Sequence, residues 1–173
     1  MDRETLRNLQ APLKALYQEQ PEKAVALLHA TGDVDVASIT CRLTPPPSCD
    51  GMTVAGLHPM TGGDGTTACS GDMLLQSLVS CAGVTLAAVS TAMELPLRSA
   101  HIEAVGRMDF RGTLGVSREA PVGLFEIELL FQLTGDLSVE QADKLIQLAE
   151  RYCVVLQTLK NAAKISSRHK LNS

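Results

Sequence analysis

Twenty-one consecutive residues, Met73–Met93, carry no charge, and Glu94-Leu95-Pro96 closes the run. A stretch of this length is long enough to cross a bilayer. Its polar residues argue otherwise: Gln76, Ser77, Ser80, Thr85, Ser90 and Thr91 are spread round it, and no basic flank orients it. The reading that fits is a central helix wrapped by protein. Ser70 is the expected N-cap, and Asp72 sits in the first turn, where a carboxylate complements the helix dipole. A sheet of roughly five or six strands shields only one side of such a helix, so a second copy of the domain is the natural cover for the rest. The expectation is an obligate homodimer with Met73–Met93 at or near its interface.

Before the run, Leu6, Leu9, Leu13, Leu16 and Tyr17 recur at helical spacing until Pro21, and Ala24, Val25, Leu27 and Leu28 extend into a second short helix ending at Gly32. Residues 1–32 therefore read as an N-terminal helical extension and 33–173 as the main domain. "VDVASITCRL" alternates like a strand, and the long loop after it carries a short strand near Met52–Leu57. After the run, "LRSAHIEAVGRMDFRG" and "VGLFEIELLFQLTG" read as two long strands joined by a hairpin connection. "DLSVEQADKLIQLAERYC" is a helix opened by a Ser138/Gln141 capping box, and "VVLQTLKNAAKI" starts another at or beside Cys153. The order gives an α+β fold with antiparallel strands against one buried central helix.

Composition removes several functions. A net charge of -4, 3% aromatic residues and no Lys/Arg cluster leave neither the charge nor the stacking surface of a nucleic-acid binder. The opening "MDRETLRNLQ" is polar from its second residue, so the expectation is a cytoplasmic protein with reduced thiols. Cys41, Cys49, Cys69, Cys81 and Cys153 include no C-x-x-C pair and no zinc-ligand spacing to histidine, so no metal site is expected. Cys41 and Cys49 read as core and loop fillers. Cys69 is either a third thiol near a site or a loop residue. His58 reads as a surface histidine of the same loop, and Arg111 as a solvated or turn-capping residue. A thiol buried in apolar surroundings, such as Cys81 taken alone, has a raised pKa and is inert. Cys153 lies between two helical segments with Arg151 two residues before it, a setting that favours a thiolate.

"SGDMLLQSLVSCAGVTLAAVSTAMELPL", followed by "GRMDFRGTLGV" and then by "ERYCVVLQTL" with its cysteine 72 residues after the first, resembles the OsmC/Ohr family of osmotically inducible and organic hydroperoxide resistance proteins. The resemblance spans residues 35–165 and leaves the N-terminal extension outside. It implies an OsmC-like fold in an intertwined homodimer acting as a thiol peroxidase on organic hydroperoxides. Cys81 matches the peroxidatic cysteine and Cys153 the resolving one, with no bound cofactor and an external dithiol as reductant. The family holds its thiolate with a buried arginine and a glutamate. Gly71 stands at the glutamate position here, which leaves Asp72 as the carboxylate candidate and Arg42 as the arginine candidate. The proline that follows the second cysteine is Val154. Two other readings share the fold: a non-catalytic binder of a hydrophobic small molecule, and a thiol redox sensor. The expected partners are a second copy, a small hydroperoxide and a dithiol, with neither nucleic acid nor membrane.

Overall fold

A computed structural model describes residues 1–28, 30–44, 51 and 53–171. The chain opens with α1 (Arg3–Glu19), capped by the Asp2 carboxylate, which accepts from the Thr5 N–H at 2.8 Å. The second N-terminal helix does not form. Pro21 starts a single 3-10 turn, Pro21–Ala24, and residues 25–28 run on without helix, with Leu27 and Leu28 almost fully exposed. Four residues without a packing surface cannot sustain a nucleus.

The expected single strand from Val34 to Leu43 is a hairpin. β1 (Gly32–Asp35) and β2 (Thr40–Leu43) pair antiparallel across a turn in which the Asp35 carboxylate accepts from the Ala37 and Ser38 N–H groups. That side-chain turn overrides the period-two pattern, and Ile39 takes φ 53° to close it. β3 (Thr53–Gly56) pairs antiparallel with β2 and falls inside the expected Met52–Leu57 window. Cys49 and Met52 lie outside the described residues. β4 (Ala68–Cys69) pairs parallel with β3, so this sheet is mixed rather than purely antiparallel.

α2 (Ser70–Ala92) contains the charge-free run, but Cys69, not Ser70, is its N-cap residue. Its buried positions, Leu78, Ala82, Leu86 and Ser90, recur every four residues and make one stripe. β5 (Leu97–Met108) and β6 (Leu124–Gly135) form a separate two-stranded antiparallel sheet under that stripe, with Ile102 opposite Phe131 and Ala104 opposite Leu129. The connection between them contains one helical turn, α3 (Phe110–Thr113), where Asp109 accepts from the Arg111 backbone N–H and from its guanidinium. Arg111 thus serves as a turn residue. Gly106 sits where an added Cβ would lie 2.9 Å from Leu124 and 3.2 Å from Leu75, so its lack of a side chain lets α2 approach the sheet.

α4 (Val139–Tyr152) begins with the expected capping box: the Ser138 hydroxyl accepts from the Gln141 N–H at 3.1 Å and the Gln141 side chain accepts from the Ser138 N–H at 2.9 Å. α5 (Val154–Lys160) follows after one residue, Cys153, which terminates α4 and caps α5. α4 and α5 pack beside α2 against the same stripe and the same β5–β6 sheet, and two clusters form the core. Leu78, Ala82 and Cys153 make one; Leu86, Leu145 and Ala149 make the other.

The central helix is covered by its own chain along that stripe and open elsewhere. Val84 is 73% exposed and Leu74 40%. The whole chain exposes 13,483 Å², against about 8,200 Å² for a compact chain of its mass. Within the covered stripe, Leu86→Ala is expected to lower unfolding stability by about 3 kcal/mol in a urea titration, the cost of a cavity in a closed core. A loss below about 1 kcal/mol would mean that the stripe is not the core.

Candidate functional site

Cys81 lies midway along α2, three residues after buried Leu78 and four before Thr85, so all three share one side of the helix. Its sulfur packs against the Leu78–Ala82–Cys153 cluster, where Ile102, Ala104, Ile127, Leu129, Val155 and Leu156 complete an aliphatic wall. Cys153 is brought there by the break between α4 and α5. Its N–H still closes α4 by donating to the Ala149 carbonyl at 2.9 Å, and its own carbonyl accepts from Gln157 at 2.9 Å to open α5. The side chain at such a junction is held from both sides, and Cys153 is completely buried. Both cysteines are free thiols.

Their electrostatics diverge. Burial pushes the Cys81 thiol up, but the opposing contacts outweigh it and its pKa lies below the usual thiol value. Those contacts are the backbone N–H of Val155, the Cys153 side chain, the backbone N–H of Val154 and the Thr85 hydroxyl. Cys153 is raised, first by burial and then by the neighbouring Cys81 sulfur, with the Leu156 and Val155 N–H groups only partly compensating. One shared cluster of amides therefore favours a thiolate on Cys81 and a thiol on Cys153.

This departs from the sequence reading in a specific way. The start of α5 is expected to activate Cys153; its N–H groups do act on that sulfur, but burial and the neighbouring Cys81 outweigh them, and the Val154 and Val155 N–H groups also lower Cys81. Arg151 gives Cys153 no help either. It is exposed, with its guanidinium 5.5 Å from the centre of the Tyr152 ring.

The two supporting candidates sit elsewhere in the chain. Asp72 is nine residues before Cys81 on α2, which puts it on the opposite face and about 13 Å along the axis. It lines a separate pocket of about 500 Å³ with His58, Cys69, Arg107 and Phe110. His58 is half-buried there rather than free on the surface. Its ring stacks on Phe110 at 4.7 Å between centroids, and its Nδ1 accepts from the Met60 N–H at 3.0 Å. Arg42 is exposed on β2, and the carboxylate its charge acts on is Asp35. Cys41 is a half-buried strand residue of the same sheet. Among the described residues no group of three or more His, Cys, Asp or Glu side chains is arranged to hold a metal.

Sequence reasoning passed over Thr85 and the amides of Val154 and Val155. The signal for Thr85 was present: the i+4 position from a candidate nucleophile on a helix is within its reach. The amides left no signal, because a backbone N–H is common to every residue except proline.

The family described as OsmC-like protein matches residues 63–168 of the chain. The chain belongs to that family. Comparison with curated proteins gives no match. Among solved structures, an OsmC-like protein from Mycoplasma pneumoniae superposes with a TM-score of 0.63 at 15% identity, over 79% of this chain and 89% of that one. An organic hydroperoxide resistance protein from Elizabethkingia anophelis, with thiocyanate bound, gives 0.63 at 14% identity, over 80% and 91%. The organic hydroperoxide resistance protein OhrB of Bacillus subtilis gives 0.52 at 16%, over 79% and 94%. At these identities the likeness establishes the fold.

Two measurements test the thiol pair. Iodoacetamide at pH 7 should alkylate Cys81 ahead of Cys153, by peptide mapping at short times, because the first thiol is lowered and the second raised. Thr85→Val, which keeps shape and removes the hydroxyl, should move the Cys81 alkylation profile to higher pH. An unchanged profile would remove Thr85 from the site.

Proposed function

We propose that this chain, as a member of the OsmC-like family, is a thiol-dependent peroxidase for organic hydroperoxides, with Cys81 as the peroxidatic and Cys153 as the resolving cysteine. The observation that carries the reading is the contact between a lowered thiol and a raised one inside a shared aliphatic wall. The names of the Elizabethkingia and Bacillus proteins, organic hydroperoxide resistance proteins of the same fold, support it.

The chemistry follows from the pair. The Cys81 thiolate attacks the distal oxygen of ROOH and the O–O bond breaks. The departing alkoxide takes a proton from water and leaves as alcohol, while the sulfur, oxidised by two electrons, becomes a sulfenic acid. Cys153, kept protonated by burial, then attacks that sulfur. It gives up its proton as hydroxide leaves, so water departs and a Cys81–Cys153 disulfide forms. An external dithiol attacks the disulfide, restores both thiols and is itself oxidised to a disulfide. No metal or bound cofactor enters any step. The wall of Leu78, Ile102, Ala104, Ile127 and Leu129 suits an alkyl group and keeps water from the sulfenic acid.

The reading includes a homodimer, which the surface left open by a single chain supports, and a cytoplasmic setting in which dithiol reductants keep the pair reduced. The thiolate is held by amides and Thr85, while Arg42 and Asp72 stand apart from Cys81 within one chain. That separation favours, as the second reading, a non-catalytic protein using the same apolar surface for a hydrophobic small molecule.

Intact-mass and peptide mapping after one equivalent of cumene hydroperoxide, without reductant, decides between them. The expected result is rapid loss of two hydrogens, mapping to a Cys81–Cys153 bond, and its absence in Cys153→Ser. A Cys81 that stays reduced, or that accumulates sulfinic acid without bridging, would end the peroxidase reading.

A further inference from the structure

α1 is a 17-residue helix without a single buried residue. At 100° per residue, Leu6, Leu9, Leu13, Leu16 and Tyr17 fall within about 100° of one another on its surface, a continuous apolar stripe. Leu9 is 59% exposed, Leu13 48%, Tyr17 40% and Leu16 36%. A lone helix of this length is marginal in water, and Pro12 in its interior removes one backbone hydrogen bond. The helix keeps its place in the chain through a few contacts with α2 and an ion pair between Arg3 and Glu94, both exposed. Exposed pairs of this kind contribute little. The stripe therefore lacks the cover that an amphipathic helix requires.

The scale of the open surface says what the cover is. The chain leaves 13,483 Å² accessible, about 5,000 Å² more than a compact chain of this mass. A standard interface takes about 800 Å² from each partner, and obligate ones up to about 2,500 Å² or more. An excess of this size calls for another folded chain rather than a small ligand or a short peptide. α1 packs on α2, and its Arg3 pairs with Glu94 just beyond the C-cap Met93 of that helix, whose Val84 is 73% exposed. With three basic and two acidic side chains, α1 also lacks the strongly basic face of a membrane-surface helix.

We propose that α1 is a dimerisation arm whose Leu9, Leu13, Leu16 and Tyr17 face seats on a second copy of this chain. The inference rests on the homodimer reading above and adds the surface that holds it. The arm lies outside residues 63–168 matched by the family, so it is a feature carried by this chain's own N-terminal extension.

Sedimentation equilibrium on the full chain and on a Leu9→Glu/Leu13→Glu double variant tests it, with far-UV circular dichroism to check folding. The expected result is a dimeric wild type and a variant whose dimer dissociation constant is raised at least tenfold. A dimeric wild type with an unchanged dissociation constant in the folded variant would overturn the arm while leaving the dimer standing. A wild type near 18.4 kDa at every concentration would overturn both. Should the variant not fold, hydrogen exchange of wild-type α1 serves instead. Protection that grows with protein concentration supports the arm, and protection independent of concentration shows α1 covered by its own chain and overturns it.

Discussion

The packing of one stripe of α2, with its buried positions four residues apart, organises this molecule. Leu78 and Ala82 meet the β5–β6 sheet on one side and the α4–α5 junction on the other, while Leu86 locks against Leu145 and Ala149 further along. Because a helix presents neighbours at i−3 and i+4, seating Leu78 seats Cys81 and Thr85 with it. The junction that reaches the same cluster can only be the break after Tyr152, where Cys153 interrupts the helix. The thiol pair is thus a consequence of core packing and needs no dedicated loop.

Burial opposes ionisation of both sulfurs, and what separates them is whether the contacts each one makes outweigh it. The N-cap side chain turns inward and is desolvated without enough donors, so Cys153 stays a thiol. Cys81 comes from the neighbouring helix, and the Val155 and Val154 N–H groups, the Cys153 side chain and the Thr85 hydroxyl together lower it despite burial. A single local device, a helix start after a one-residue break, assigns both roles. It does so without an ion pair, which suits an aliphatic surrounding in which a buried unpaired charge would be costly.

The rest of the chain leaves much of its surface open. Two small sheets replace one large one, the open side of α2 exposes Leu74 and Val84 among polar residues, and α1 carries an open apolar stripe. Of the carboxylate and guanidinium nominated for the thiolate, Asp72 lies on the opposite face of α2 from Cys81 and Arg42 is exposed on β2. The pocket shared by His58, Cys69 and Asp72 is likewise a feature of the far end of α2.

The sequence by itself determined the elements whose signals are local. The charge-free run specified α2, the Ser138/Gln141 box specified α4, and the alternation from Leu124 to Leu133 specified β6. The two cysteines stood out together, through the resemblance their motifs and spacing carry, since Cys81 taken alone reads as an inert buried thiol. Local pattern failed where a side chain or a missing partner outweighed it: Asp35 folded one apparent strand into a hairpin, and Leu27 and Leu28 found nothing to pack against. Only the tertiary structure decided which cysteine is lowered, because that depends on whether the contacts each sulfur makes outweigh its burial. It also decided that Thr85 belongs to the site and that Asp72 does not reach Cys81 within the chain. Both follow from helix phase, which becomes meaningful once packing has chosen the buried face.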